Sequence, residues 1–233
     1  MKNSNEQFNI KTHYVYPEFF GIHLDYSLGE EAPLFAPPRS GRHVCGVGYN
    51  SAERRKALGM PYHETTCRSY RKWFDMMNRC YKSRATAYIG CTVCPKWQDF
   101  QEFADWFVSQ PYVSEVDMEL DKDILDPLNT LYSPEFCSLV PRVINQIFRD
   151  TRSQRGKLPI GVTVAARGKG FVSRLSMYGK SVYLGKFHNI IEAFEVYKAA
   201  HCMYCNELAD TYEARIDARV IERLRTCARH IHD

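Results

Sequence analysis

The sequence predicts an α+β protein in which a ββα unit with flanking helices precedes a three-stranded antiparallel sheet packed on one helix. Two observations predict this class. Between residues 120 and 148, two short apolar runs flank a turn-rich loop and lead into a stretch with helical spacing. Between residues 160 and 208, three strand-like runs are followed by apolar residues at helical spacing. A chain of 233 residues can bury a core for two small units of this kind.

The composition argues against a membrane or secreted protein. No apolar run approaches the roughly 18 residues of a membrane helix, and residues 1–11 lack the apolar centre of a signal peptide. The nine cysteines are an odd number, and their spacing is not that of a disulfide framework. We therefore expect a cytoplasmic protein that makes no membrane contact.

Charge is distributed unevenly along the chain. Residues 39–96 carry twelve basic and three acidic groups, residues 97–135 carry one basic and ten acidic groups, and residues 149–200 carry ten basic and three acidic groups. Basic blocks of this size favour a phosphate-rich partner, because binding releases condensed counterions. The alternative is that the lysines and arginines only solvate helix faces.

The chain divides into four predicted segments. Residues 1–43 are rich in aromatic residues and proline and predict an extended arm, while residues 44–150 hold the ββα unit with its flanking helices. Residues 151–212 form the sheet unit, and residues 213–233 belong to a C-terminal helix of mixed charge that begins near Asp210.

Two helices are predicted before the ββα unit. The first covers residues 69–82, and its apolar stripe is Tyr70, Trp73, Phe74, Met77 and Tyr81. Two of its basic residues, Arg71 and Arg79, are candidates for phosphate contact. The second helix runs from Asp99 to Ser109 with the buried face Phe100, Phe103, Ala104 and Phe107.

A Cys-x-x-Cys pair, Cys91 and Cys94, lies between these helices. The spacing is typical of half a zinc site, for which Cys67, Cys80 or Cys137 could supply further ligands. The alternative is a short strand or turn with two small buried thiols.

The ββα unit has a run at Leu120–Leu125, a second run at Cys137–Val140 and a helix from Pro141. Several motifs accompany it in order: Tyr-x-Lys-Trp-x-x-Met-x-x-Arg-Cys-Tyr from Tyr70, Tyr-x-Gly-Cys-x-Val-Cys-x-x-Trp from Tyr88 and Phe-x-x-Phe-x-x-Trp from Phe100. Together they resemble a group of phage His-Asn-His (HNH) proteins related to homing endonucleases, over roughly residues 44 to 212. The resemblance implies a chain made in an infected bacterial host cell.

The resemblance implies a degenerate metal site at Asp121, Asp123 and Asn145, with Asn129 as a loop asparagine. Lys122 lies where the family has its general-base histidine, and no histidine occurs between His63 and His188. A lysine is cationic near pH 7 and repels a metal ion. We therefore expect a scaffold without cutting chemistry and without a cofactor. Mg²⁺ is expected only if nuclease activity is retained.

The sheet unit is predicted from strands that begin at Ile160, Phe171 and Val182, with a hairpin turn at Tyr178-Gly179. Asn189 caps the following helix, and Glu192 completes a capping box. The Gly-Val start, Leu-Gly-x-Phe from Leu184 and Glu-Ala from Glu192 resemble the plant ethylene-response-factor type of DNA-binding domain. That family reads the major groove with residues on the exposed face of its sheet.

Carried over to this chain, the resemblance implies a nucleic-acid-binding set. Its members are Arg167, Lys169, Arg174, Lys180, Tyr183 and Lys186. The sequence departs from the family at Thr163, where an arginine is frequent, and at Phe171 and Tyr183, which replace tryptophans. Phosphate contact is therefore expected more than base readout. The alternative is a protein-binding module.

These expectations combine into one functional hypothesis: a nucleic-acid-binding protein derived from an HNH homing endonuclease, without nuclease activity. The first alternative is a binder of structured RNA or of a ribonucleoprotein such as the host ribosome. A protein that has lost its nuclease activity keeps its basic surface, and that surface can bind the backbone of a folded RNA. The second alternative is an active metal-dependent DNA endonuclease. The sequence does not choose between DNA and RNA.

Overall fold

The computed structural model describes residues 37, 43–111, 117–149 and 157–231. The predicted arm lies outside the described residues apart from Pro37 and His43. The observed fold is mixed α+β, as the sequence predicts, and the three-stranded antiparallel sheet packs on one long helix.

The first unit is built mostly from helices. They are α1 (Ala52–Ala57), α2 (Arg68–Tyr81), α3 (Pro95–Gln98) and α4 (Phe100–Ser109), with a short 3₁₀ turn at Thr86–Tyr88. Strand β1 (Thr92–Val93) pairs in parallel with β3 (Leu131–Tyr132). Strand β2 (Met118–Asp121) pairs antiparallel with β4 (Ser138–Pro141), and α5 (Arg142–Phe148) follows directly. This is the predicted ββα arrangement.

Aromatic side chains fill the core of the first unit. Trp73, Trp97, Phe100 and Phe103 are fully buried, and the Trp73 indole N–H donates to the carbonyl oxygen of Trp97 at 2.7 Å. Gly48 is required beside them, because a Cβ there would lie 2.7 Å from the Trp73 ring. The predicted buried face of α4 is confirmed.

The predicted stripe of α2 needs one correction. Phe74 is 44% exposed, whereas Met76, which the sequence reading left out, is fully buried beside Trp73 and Met77. Phe74 and Met76 lie roughly 200° apart around the helix axis, so the buried face of α2 is turned toward Met76 and away from Phe74.

A buried ion-pair network joins α1 to α4. The guanidinium of Arg55 is nearly inaccessible and lies 2.9 Å from Glu102 and 2.7 Å from Asp105. His63 donates to the other Asp105 oxygen at 2.9 Å. Burial tends to raise the pKa of Asp105, but the hydrogen bond from His63 and the charge of Arg55 outweigh it, so this pKa lies below its ordinary value.

The second unit contains β5 (Val162–Val164), β6 (Phe171–Met177) and β7 (Lys180–Phe187) in sequential order, followed by α6 (Ile190–Tyr212). The predicted hairpin turn is confirmed, with φ of 49° at Tyr178 and 76° at Gly179. Asn189 caps α6 by accepting from the backbone N–H of Ile191. Of the predicted apolar positions of α6, Ile190 is half-buried and the others are buried: Ala193, Phe194, Tyr197, His201, Tyr204 and Leu208.

The C-terminal helix differs from the prediction. The chain remains in α6 until Tyr212, turns through Ala214 at φ 59°, and forms only a short helix α7 (Ala218–Arg225). A continuous helix from Asp210 is therefore wrong, because the positive φ at Ala214 ends the helical path. The sequence also predicts an apolar seam along this helix, formed by Ile216, Val220, Leu224, Ala228 and Ile231. The first three are buried, whereas Ile231 is half-buried and Ala228 is exposed.

Three arginines of the C-terminal segment bind the ββα unit, and we call them the C-terminal clamp. Arg219 donates to the carbonyl oxygen of Glu135 at 2.5 Å, Arg223 to that of Ile124 at 3.0 Å, and Arg229 to that of Ile147. Buried side chains of both units also belong to one continuous apolar core. The two predicted units are therefore in contact.

Removing Arg55 should destabilise the protein strongly. Arg55→Ala leaves Glu102 and Asp105 without their buried cation, and loss of one partner of a buried pair costs about 3–5 kcal/mol. Urea unfolding measures the loss. Lys56→Ala, which removes an exposed cation from the same helix, is the matched control and should keep the wild-type midpoint. Equal midpoints for both variants would contradict a structural role of the network.

Asp105 should make stability depend on pH. Its folded pKa lies below the ordinary value of 3.8, so its contribution is fully present above that value and is lost as the pH falls through the folded pKa. The unfolding free energies of wild type and Asp105→Asn should therefore differ most near neutral pH and converge in acid. If the two unfolding free energies differ by the same amount at every pH, the charge of the Asp105 carboxylate does not stabilise the folded state.

Candidate nucleic-acid interface

The first candidate site is the loop after β2, where the sequence places the degenerate metal site. One Asp121 carboxylate oxygen accepts from the backbone N–H groups of Asp123 at 2.8 Å and Ile124 at 2.7 Å. Burial raises the Asp121 pKa, and these two bonds oppose the rise. Asp121 therefore shapes the turn with one of its two oxygens.

Lys122 provides an internal cation for this loop. Its side chain is 6% exposed, and its ammonium bonds the Asp123 carboxylate and donates to the Asn129 carbonyl oxygen at 3.0 Å. Asn129 donates in return to the carbonyl oxygen of Lys122 at 3.1 Å. Burial tends to lower the Lys122 pKa, but the hydrogen bond to Asp123 and the negative charges nearby together outweigh it, so the pKa is raised. The ammonium stays charged and neutralises Asp123.

Asn145 does not join the two aspartates through any described bond. Its side-chain amide donates to Glu119, a residue that the sequence reading missed, and Glu119 also lies 3.8 Å from Arg142. The signal that could have found Glu119 is strand alternation, because Glu119 and Asp121 occupy one face of β2. Over the described residues, neither aspartate belongs to a group of three His, Cys, Asp or Glu donors in metal-binding range.

The Cys-x-x-Cys pair also has no assembled ligand set. Cys91 and Cys94 are buried free thiols, and in the part of the chain that the structure describes no third donor of these types completes a metal-sized group with them. Burial raises the Cys94 pKa to about 11. The arrangement corresponds to the alternative of two small buried thiols.

The second candidate site is the exposed face of the sheet, opposite α6. The register pairs Arg174 with Tyr183 and Val172 with Lys186, which places these residues on one face. The Arg174 guanidinium lies 5.4 Å from the centre of the Tyr183 ring, and Tyr183 is 55% exposed. A guanidinium beside an exposed aromatic ring is the pair of groups that contacts phosphates and stacks on bases.

The other predicted basic residues lie at the ends of the strands. Lys180 starts β7 at the hairpin, and Arg167 and Lys169 occupy the loop between β5 and β6. That loop is held by a bond from the Ala165 N–H to the Gly170 carbonyl oxygen at 2.9 Å. A Cβ at Gly170 would lie 2.4 Å from the Phe187 carbonyl oxygen, so glycine is required there.

We call Arg167, Lys169, Arg174, Lys180 and Lys186 the sheet cations. All five are exposed, and none forms an ion pair with another described residue. The sequence explains this, because residues 151–191 contain no aspartate or glutamate. Their charge is therefore available to an external anion.

The basic candidates on α2 differ from each other. Arg71 is exposed, but Arg79 is half-buried with its guanidinium 5.7 Å from the Tyr88 ring and hydrogen-bonded to Tyr132. Arg79 therefore contacts Tyr88 and Tyr132 within the fold, and phosphate contact by Arg71 and Arg79 stays a prediction. Helical spacing alone did not reveal that Tyr88 and Tyr132 lie beside Arg79.

A cleft of about 290 Å³ lies between the two units, which sequence reasoning did not find. Its lining includes Arg149, Arg174 and Arg229 together with His201 and Tyr178. These residues are far apart in the sequence: Arg149 follows α5, Arg174 and Tyr178 belong to β6 and its hairpin turn, His201 lies on α6, and Arg229 lies in the C-terminal segment. Arg174 belongs to both the cleft and the sheet face, so the two basic surfaces are contiguous.

Comparisons with protein families, curated proteins and solved structures find no match to this chain. In the described residues no helix combines the length and apolar character needed to cross a membrane.

Lys122 should be a structural residue. Lys122→Met removes the donor to the partly buried Asn129 carbonyl oxygen and leaves Asp123 unpaired, which should lower the free energy of unfolding in urea by about 1–3 kcal/mol. Lys180→Met makes the same change at an exposed turn and should leave the midpoint near wild type. A Lys122→Met protein as stable as wild type would show that the ammonium does not hold the loop.

Proposed function

We propose that the protein binds nucleic acid through the exposed face of its sheet and does not cut it. The observation that carries this proposal is the set of sheet cations, which is exposed, unpaired within the described residues and arranged around the Arg174–Tyr183 pair. Such a set neutralises phosphates and releases their counterions, which is the main source of affinity in sequence-independent binding.

The chemistry of the ββα loop supports binding without cleavage. A metal-dependent nuclease needs carboxylates free to hold a divalent ion and a base to activate water. Here Asp121 caps the backbone, Asp123 is paired with Lys122, and Asn145 is bonded to Glu119. The Lys122 ammonium adds positive charge at the place where a divalent ion would bind.

The residues on the sheet support backbone contact more than base readout. Arg174 is the only arginine on the strands of the described sheet, whereas sequence-specific readers use several bidentate side chains. Tyr183 offers a surface on which an unpaired base can stack. We therefore propose a ligand recognised by its phosphates and by accessible bases, as in folded RNA or single strands. A folded RNA inside a ribonucleoprotein such as the host ribosome is one source of that ligand.

Binding should be electrostatic and located on the sheet. Fluorescence anisotropy of the full chain with duplex DNA, single-stranded DNA and hairpin RNA should give a Kd that rises steeply with salt. Arg174→Glu and Lys186→Glu should each weaken binding and lower the slope of log K against log salt by about one. Tyr183→Ala should weaken binding to single strands by about 1–3 kcal/mol per stacked base and leave duplex binding unchanged.

The control for charge is Lys198→Glu. It makes the same reversal on α6, which covers the opposite face of the sheet, where Lys198 pairs with Glu195. Its affinity should equal that of wild type. Equal losses for Lys198→Glu and Arg174→Glu would mean that net charge rather than the sheet face governs binding. A Kd independent of salt would refute the proposal.

Absence of cutting is tested separately. Supercoiled plasmid incubated with Mg²⁺ or Mn²⁺ should remain uncut by the wild type and by the Asp121→Ala/Asp123→Ala variant alike. Metal-dependent nicking that disappears in the variant would overturn the non-cutting half of the proposal and would leave the binding half intact.

A further inference from the structure

A second group of side chains, outside the sheet face and the ββα loop, has the composition of a metal site. His201 and Cys205 are four residues apart on α6 and therefore lie one turn apart on the same side of the helix. Cys227 follows α7 by two residues. One donor atom from each residue lies within 4.8 Å of the other two, and Cys205 Sγ is 3.5 Å from His201 Nδ1.

The geometry points to a zinc site formed by His201, Cys205 and Cys227. Two cysteine sulfurs and an imidazole nitrogen are the ligands that Zn²⁺ takes in proteins. With Zn–S near 2.3 Å and Zn–N near 2.1 Å, tetrahedral donors are about 3.5–3.8 Å apart. The Cys205–His201 separation is already in this range, and the third donor has to move by about an ångström at most.

The surroundings favour a metal over isolated thiols. His201 is 3% exposed and Cys205 is 1% exposed, so both groups are held in place before a metal arrives. Zinc binding replaces the two thiol protons: one Zn²⁺ forms two Zn–S bonds and releases two protons, without any oxidation or reduction.

Arg229 already places a positive charge beside the imidazole. Its Nε donates to His201 Nε2 at 3.4 Å, and its guanidinium also binds the Ile147 carbonyl oxygen. Zinc at Nδ1 leaves the imidazole proton on Nε2, so Arg229 gives up its bond to Nε2 and retains the one to Ile147. The two thiolates balance the two charges of the zinc ion, so the site adds no net charge next to the Arg229 guanidinium.

The site would fasten the C-terminal segment to α6. Two ligands come from the helix beneath the sheet, and the third comes from the segment that carries the C-terminal clamp. A metal bond there closes the chain between residues 205 and 227 and holds Arg229 at the cleft. The role is structural, and it does not depend on the proposed nucleic-acid binding.

Zinc content and cobalt spectra of the full chain test the assignment. The purified wild type should contain one zinc per chain, and the apoprotein titrated with Co²⁺ should show sulfur-to-cobalt charge transfer and tetrahedral d–d bands. Cys205→Ser and Cys227→Ser should each weaken Zn²⁺ binding at least 100-fold, since even loss of an outer-shell partner costs 10–100-fold. Cys202→Ser, an exposed neighbour on α6, is the matched control and should bind like wild type.

X-ray absorption at the zinc edge provides a measurement that needs no variant. The wild type should show two sulfur ligands at about 2.3 Å and the remainder nitrogen or oxygen. Four sulfur ligands in this spectrum would overturn the proposal, because they would place zinc at the Cys-x-x-Cys pair. The same conclusion would follow if Cys91→Ser lost the metal and Cys205→Ser retained it. Wild-type protein that binds no zinc at all, including protein with a Cys205–Cys227 disulfide, would also overturn it.

Discussion

The contact between the C-terminal clamp and the ββα unit is the constraint on which the arrangement of the molecule depends. Arg219, Arg223 and Arg229 use guanidinium N–H groups to satisfy carbonyl oxygens in three different parts of that unit. A hydrogen bond from a charged donor to a backbone acceptor is stronger than a neutral one, and three of them fix an orientation. The cleft between the units and the His201–Cys205–Cys227 group both exist because the C-terminal segment returns to this surface.

The Lys122 ammonium ties the loop after β2 together from the inside. A divalent ion in such a loop would neutralise carboxylates and tie the hairpin to its surroundings. The Lys122 ammonium does both, because it binds Asp123 and the Asn129 carbonyl oxygen inside the loop. A fixed ammonium cannot activate water. Lys122 therefore supplies a permanent internal cation to this loop.

The two basic blocks of the sequence differ in how much of their charge is paired with acidic residues in the fold. The block at 39–96 meets the acidic block that follows it: Arg55 pairs with Glu102 and Asp105, and Lys72 lies 3.5 Å from Asp117. Part of the positive charge of this block is therefore neutralised by ion pairs within the protein. The sheet cations have no acidic residue within their own stretch, and the fold brings none to them among the described residues. The sheet cations therefore keep a positive charge that no described acidic residue neutralises.

The sequence by itself determined the α+β class, the ββα order, the three strands and the capped helix, because these depend on local periodicity, turn residues and caps. The sheet cations were named from the resemblance to a DNA-binding domain. The structure shows that they are exposed, and their role in binding stays a prediction. The tertiary structure alone decided that Met76 rather than Phe74 is buried, that Arg79 turns inward, and that Ala214 divides the C-terminal helix. It alone brought His201, Cys205 and Cys227 together, because residues separated by more than twenty positions meet only when the whole core packs.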